Sequence, residues 1–393
     1  MEVLRQCFPP SVRCILQELP DSLDETYERI LREIRKPNQG HAHKLLHCLV
    51  AAVRPLQVKE LAEVLAFDFK EEGIPKLNLG WRWEDQEEAV MSACSSLVII
   101  VKDGDSRTVQ FSHFSVKEFL TANRLAEPIR DVSRFHIRLE AAHTILAQAC
   151  LGALLRFDDR VDINNIEDYP LARYAARSWA THARFESTSS RIKDGMERLF
   201  DADKPHFATW LSIRDEDWWG RSMTTKHREK LRTVPLYYAA MLGFRDLAEH
   251  LIVKHPEHVN ARGGDEVTPM HVAARSGHAD ILSLLLDHGA NLDERGIIDQ
   301  TPLHRALWSA KLEAAQCLLD RGADINARDH INWTPLHCAV KGKQIQAVRL
   351  LLEHGADVNA RSKSGKTPSQ LGSALSRPDI MELLSEYGAK SIQ

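Results

Sequence analysis

Thr268-Pro269-Met270-His271 returns as Thr301-Pro302-Leu303-His304 and as Thr334-Pro335-Leu336-His337, with a degraded copy at Thr367-Pro368-Ser369-Gln370. The copies start at 268, 301, 334 and 367, always the same step apart, and a diverged copy, Val234-Pro235-Leu236-Tyr237, precedes them by nearly that step. A second marker keeps the same phase: Gly289-Ala290-Asn291, Gly322-Ala323-Asp324, Gly355-Ala356-Asp357 and Gly388-Ala389-Lys390. A fixed period of this size marks stacked repeats, each burying its apolar face only against its neighbours. The spelling has a physical reading. Thr offers a side-chain oxygen to cap a helix, and Pro fits the first helical position, where its missing N–H is no loss. His271, His304 and His337 recur at one helical position, placed to bond the capping Thr and neighbouring backbone and so tie one turn to the next. Ala273, Ala306 and Ala339 keep that helix thin. Rows such as Ile281, Leu284, Leu285 and Leu350, Leu351 give a second helix its apolar face, and Gly289, Gly322 and Gly355 end it where a left-handed residue costs least.

These motifs resemble the ankyrin repeat family over 234–393, in about five units. The resemblance implies that the recurring His is structural and not a metal ligand. Departures are visible: the first unit has Pro256-Glu257 in place of the Gly-Ala marker, Ala310 stands where the preceding unit has Gly277, and the next unit has Gly342 followed by Lys343 at that place. Diverged terminal units are expected, since an end repeat has one neighbour only. Ser364-Gly365-Lys366-Thr367 imitates the end of a phosphate-binding loop, but Ala360 stands where the first glycine is required. It reads as an inter-repeat finger with Thr367 as helix cap.

The whole chain has 393 residues, which predicts two or three domains at roughly 100–200 residues each. With 44% hydrophobic and 27% charged residues and a net charge of −4, it carries no basic footprint for nucleic acid. No apolar run approaches the ~20 residues that span a bilayer, and the N-terminus lacks a secretory pattern. The expectation is an intracellular protein, cytoplasmic or nuclear, that binds neither nucleic acid nor membrane. Seven cysteines without a CxxC pair read as reduced, mostly buried thiols.

Upstream of the repeats, Leu19 through Leu31 opens a helix, Ala42–Val53 forms a second, and Val58, Leu61, Ala62, Val64 and Leu65 mark a third after the break Arg54-Pro55-Leu56. Trp81–Ala93 reads as a further helix. Leu97–Val101, the turn Asp103-Gly104-Asp105 and a partner strand to Phe111 read as a hairpin, and His113 through Leu120 starts another helix. Helices closed by a hairpin make a winged-helix pattern. Lys59 stands beside Glu60 and Glu63, so the third helix is no DNA reader. Leu19-Pro20 through Leu31, Arg54-Pro55-Leu56 with Glu60-Leu61, and Phe111-Ser112-His113 through Leu120 resemble the winged-helix segment that follows the NACHT nucleotide-binding domain in fungal NLR-like proteins. In that family the last motif resembles Phe-Ile-His-x-x-Phe-Gln-Glu-Phe, whose His contacts the β-phosphate of bound ADP. The resemblance implies that His113 is the nucleotide-sensing candidate. No Walker A loop precedes it, so the expectation is a chain without its motor, in which His113 is a surface or hairpin-packing residue.

Between these parts, Ala141–Leu155 and Tyr169–Trp179 read as helices, the latter similar to the helical segment joining winged helix and ankyrin stack in the same fungal proteins. Ser187–Ser190 reads as a loop, and Trp210, Trp218 and Trp219 as a cluster that packs at the junction or forms an exposed platform. The fold class expected is mainly α: a winged-helix domain with a small β-hairpin over 1–130, a helical linker domain over 131–233 and an ankyrin solenoid over 234–393. No HExxH, GxSxG or GxGxxG motif occurs. His43 and His47 share a helical face near His41 but lack a third ligand. No catalytic residue, cofactor or metal is expected.

The family resemblance places variable contact positions just before each Thr-Pro and late in each first helix. On the fingers these are Asp265, Ile297, Ile298, Gln300, His330, Ile331 and Trp333; on the helices they are Arg275, Trp308 and Lys341. Apolar residues grouped where exposure is expected mark either a partner site or finger-to-finger packing. The favoured function is a protein–protein interaction adaptor or scaffold, NLR-like without its motor, with an unknown protein partner. The alternatives are a truncated regulatory half acting in trans with a separate NACHT ATPase, and an enzyme or biosynthetic-pathway accessory with an unrecognised site in the middle region.

Overall fold

The computed structural model describes residues 22–69, 73–94, 96–104, 106–127, 131–157, 163–219, 234–263, 267–296 and 298–389, with backbone only at 163–165 and 215–219. Asp265, Ile297, Asp105, Leu19 to Asp21, Cys7, Cys14 and the side chains of Trp218 and Trp219 lie outside it. The chain divides into two compact units, one reaching Leu199 and resuming over Lys204–Trp218, the other made of Phe200–Asp203 and the chain from Trp219 onward.

The first unit opens with α1 (Leu23–Glu33) and α2 (Gln39–Ala51), then β1 (Leu56–Gln57), α3 (Val58–Leu65), β2 (Phe67–Asp68), β3 (Lys76–Leu77) and α4 (Gln86–Cys94). The hairpin β4 (Val98–Asp103) and β5 (Ser106–Phe111) follows, then α5 (Phe114–Thr121). β1 pairs with β5, Leu56 opposite Val109, and β5 pairs with β4, Val98 opposite Phe111, giving the antiparallel order β1-β5-β4. Gly104, at φ 57°, supplies the left-handed residue of the hairpin turn. The expected helix at Trp81–Ala93 is corrected. Leu79–Trp81 is a 3₁₀ turn, and α4 begins only after Asp85, whose carboxylate accepts the Glu87 and Glu88 N–H groups and so starts the helix there.

α3 is almost wholly buried, and the reason lies in its acids. Glu60 joins a capping box with Gln57 and takes Arg54 in a bidentate pair at 2.6 and 2.9 Å. Glu63 is 4% exposed and receives Arg82 at 3.1 Å, Arg156 at 2.7 Å and the Leu171 N–H at 2.7 Å. Buried charges persist only when paired and hydrogen-bonded in this way.

The unit continues with α6 (Leu139–Leu154), α7 (Ala172–Ala183), the short α8 (Thr188–Arg191), α9 (Lys193–Leu199) and α10 (Pro205–Trp219). The loop expected at Ser187–Ser190 is thereby corrected: Thr188 is buried and its hydroxyl lies 3.4 Å from that of Thr144, so packing on α6 turns a polar stretch into helix. Trp210 is buried too, edge-on to Trp179 at 5.8 Å, with its indole N–H donating to the Ala176 carbonyl at 2.9 Å. It is a core residue of this unit and no exposed platform.

The second unit is a series of helix pairs: α11 (Pro235–Leu242) and α12 (Arg245–Lys254), α13 (Pro269–Ser276) and α14 (Ala279–Asp287), α15 (Pro302–Trp308) and α16 (Leu312–Asp320), α17 (Pro335–Lys341) and α18 (Ile345–Glu353), α19 (Pro368–Ala374) and α20 (Pro378–Glu386). Each of Thr268, Thr301 and Thr334 shares a capping box with the His three positions on. The Thr hydroxyl lies 2.9 Å from His Nδ1 in all three. The far nitrogen, Nε2, then donates across to the next repeat: His271 to the Gln300 carbonyl at 3.0 Å, His304 to Trp333 at 3.0 Å, His337 to Lys366 at 3.1 Å. One imidazole thus holds its own helix start and the neighbouring finger. Thr367 caps α19 with Gln370 completing the box, as the finger reading of Ser364–Thr367 requires.

Among the described residues no helix is long and apolar enough to cross a membrane. Cys48, Cys94, Cys150 and Cys338 are buried free thiols, and burial pushes Cys48, Cys94 and Cys338 up to about 12.

Candidate functional site

The first helices of three successive repeats carry Arg275, Trp308 and Lys341 at their C-terminal ends, in the same register position, and all three are exposed. Trp308 is 58% exposed, the most open tryptophan among the described side chains. Trp333 reaches it from the adjoining finger: the rings lie 6.4 Å apart, and Trp333 stacks on His337 at 6.1 Å on its other side. Trp333 is therefore half-buried, a shared wall between finger and helix. Ile331, at the finger tip, is 37% exposed.

The fingers are braced by backbone. His330 N–H donates to the Ile298 carbonyl at 3.1 Å, with its Nδ1 also 3.1 Å from that oxygen, and Lys363 N–H donates to the Ile331 carbonyl at 2.9 Å. Ile298 is half-buried and His330 exposed. Gln300 is corrected: it is 6% exposed, because it directly precedes the Thr301 cap and its carbonyl receives His271. Two determinants escaped the reading of the sequence. Asp329, 5% exposed, accepts the Ile331 and Trp333 N–H groups at 3.0 and 2.7 Å and so shapes the finger. Arg295 and Arg328 donate to the carbonyls of Arg328 and Arg361 one repeat on, a ladder whose only sequence signal is the spacing of 295, 328 and 361.

His113 caps α5. Its Nδ1 faces the Ser115 N–H at 3.3 Å and the Ser115 hydroxyl at 2.6 Å, and that hydroxyl contacts Tyr27 at 2.8 Å. The two N-terminal segments singled out in the sequence thus meet at Ser115. Among the middle helices, His182 contacts His143 at 2.9 Å and the Tyr174 hydroxyl at 2.9 Å. Burial holds His182 down at about 3 and raises Tyr174. His182 and Tyr174 are fully buried and hydrogen-bonded to one another, which describes a packing network and not a group poised in a cleft. The His43 and His47 rings do meet, 4.0 Å apart and tilted by 44°, but His47 is buried with Nδ1 on the His43 carbonyl at 2.8 Å. A third histidine group lies at the end of α12. There His255 and Glu257 meet at 3.3 Å, and His258 and Glu257 at 3.8 Å.

Residues 236–329 and 328–392 each match the family model described as ankyrin repeats (3 copies). The C-terminal part of this chain is an ankyrin stack. Residues 27–130 match the winged helix domain of GPI inositol-deacylase, so the helices closed by the β1-β5-β4 sheet are a winged helix. The azaphilone pigments biosynthesis cluster protein L of Monascus ruber is 31% identical over 290 residues, which cover 69% of this chain and 60% of that protein. The chain therefore spans about three fifths of the length of this curated relative. Alpha-latrocrustotoxin-Lt1a of Latrodectus tredecimguttatus is 38% identical over 52 residues, 13% of this chain and 4% of the toxin. Ankyrin repeats are a protein-recognition architecture, and the row Arg275, Trp308, Lys341 with Ile331 and Trp333 lies within this one.

Proposed function

We propose that the chain is a non-catalytic, intracellular recognition protein that captures a protein partner on the ankyrin fingers and first-helix ends. Trp308 carries this reading: a large apolar side chain, 58% exposed, beside Trp333 and in register with Arg275 and Lys341. Fold stability gains little from it, whereas a partner that buries it gains an anchor of the residue type most favoured at interface centres. The flanking cations favour a partner surface with acidic residues around an apolar pocket. Ile298, His330, Ile331 and, outside the described residues, Ile297 complete the proposed contact.

Two finer readings sit within this one. The relative named for a pigment biosynthesis cluster supports a scaffold that serves a biosynthetic pathway by holding its proteins. The winged helix, with His113 at the head of α5, supports a regulatory half acting in trans with a NACHT ATPase in the manner of an NLR. Affinity capture of the tagged chain from native extract, with and without ADP, separates them. Loss of the captured partner on Trp308→Ala with Trp333→Ala, with circular dichroism unchanged, is the expected result. Capture that survives this double substitution refutes the proposed surface. A partner released or recruited by ADP, and insensitive to ADP in His113→Ala, selects the NACHT reading.

A further inference from the structure

The second helix of the first helix pair ends differently from the others. α14, α16 and α18 run into Gly289, Gly322 and Gly355, all at positive φ. α12 runs instead into His255-Pro256-Glu257-His258, and the chain turns as a 3₁₀ helix over Pro256–Asn260. Proline at its first position fixes the backbone there. The His258 N–H donates to the His255 carbonyl at 3.0 Å and the Ala261 N–H to the His258 carbonyl at 3.1 Å. A 3₁₀ turn eclipses positions i and i+3. His255 and His258 accordingly stand on one side, their rings stacked 4.9 Å apart at 25°. Glu257 lies between them, with Oε1 3.3 Å from His255 Nδ1 and 3.8 Å from His258 Nε2. All three potential ligand atoms fall within 4.8 Å of one another.

We propose that His255 Nδ1, a Glu257 carboxylate oxygen and His258 Nε2 bind one zinc ion, with water in the fourth position. Zinc bonds of about 2.0–2.1 Å space tetrahedral ligand atoms about 3.3–3.4 Å apart. One edge of the cluster already has that length, and the second closes with a side-chain shift of about half an ångström. Two imidazoles with one carboxylate suit zinc, whereas calcium and magnesium take oxygen donors. The nitrogen assignment follows from the geometry: it is His255 Nδ1 that lies 3.3 Å from the Glu257 carboxylate, while Nε2 is buried. Lys254, the cation next in sequence, is taken by Asp201 at 3.0 Å. The ion would clip the end of α12 where this repeat lacks the left-handed glycine of its neighbours.

The test uses the full chain, stripped with a chelator and titrated with Zn²⁺, and with Co²⁺ as a visible probe of four-coordinate geometry. One equivalent is expected to bind, to raise the melting temperature and to give a four-coordinate Co²⁺ spectrum. Glu257→Gln and His258→Ala are each expected to abolish all three signals. Glu257 is 65% exposed, so its amide variant keeps the fold and reports on the metal alone. Absence of binding in the parent chain overturns the proposal, as does stoichiometric binding that persists in both variants.

Discussion

At the scale of the residue, the repeats show how one position can be solved by different amino acids at different cost. The residue that closes each first helix takes a left-handed conformation: Gly243 and Gly277 at φ 81° and 91°, but Ala310 at 55°, Lys343 at 58° and Ser376 at 53°. A side chain held there costs about 1–2 kcal/mol relative to the ordinary helical region. Lys343 is exposed, and the bond it makes one repeat on, from Arg377 to its carbonyl at 3.0 Å, uses backbone alone. Lys343→Gly is therefore expected to stabilise the stack by about 0.5–1 kcal/mol after the glycine's extra freedom in the unfolded chain is subtracted. Thermal melts are expected to show a rise of a few degrees, and a fall would mean that the Lys343 side chain stabilises more than its backbone costs.

At the scale of the element, α3 is held by charges that the sequence displays but does not place. Glu60 and Glu63 look like the solvated face of an amphipathic helix. Instead both are buried, and Glu63 gathers Arg82, Arg156 and the Leu171 N–H from three separate segments. Removing one member of such a cluster strands the rest without water. Glu63→Ala is expected to cost about 3–5 kcal/mol in urea denaturation, against a few tenths for Lys59→Ala on the same helix, whose side chain is exposed enough to leave its pairing with Glu167 screened. Equal effects from the two substitutions would show that Glu63 is not buried as described.

At the scale of the whole molecule, buried neutral histidine sets the response to acid. His47 and His271 are held down at about 4 and His182 at about 3, in each case chiefly by burial, from an ordinary value of 6.5. His304 and His337 are lowered for the same reason. Below pH 6.5 the unfolded chain binds protons that the folded chain refuses, so stability falls with falling pH through the window from about 6.5 to about 3–4 and is complete above it. Melting temperature is expected to drop steeply from pH 6.5 to 4.5, and His271→Gln, which keeps a polar side chain but cannot titrate, is expected to flatten the profile. An unchanged slope in that variant would place the acid sensitivity elsewhere.

The constant period determined the repeats from sequence alone, because Thr, Pro, His and Gly each answer a local need that recurs wherever the same turn recurs. Helix boundaries followed at the Thr-Pro caps and slipped at Asp85, a cap that stands among other acids, and at Thr188, where packing on Thr144 makes the helix. The double role of His271, His304 and His337 was half legible: the capping Thr that each one bonds lies just upstream on the same helix, while the receiving carbonyl belongs to the next finger. Exposure of Trp308 was legible from its register at a helix end, whereas burial of Gln300 was not, since its carbonyl is taken by His271 of the preceding repeat. His255, Glu257 and His258 are neighbours in the chain, yet the sequence marks only Pro256-Glu257 as a replaced repeat marker, since it takes a 3₁₀ turn to bring the two imidazoles onto one side. What the sequence by itself determined is local and periodic. What the tertiary structure alone decided is burial: a charge or an imidazole takes its role from the segments packed around it, and no spacing along the chain records them.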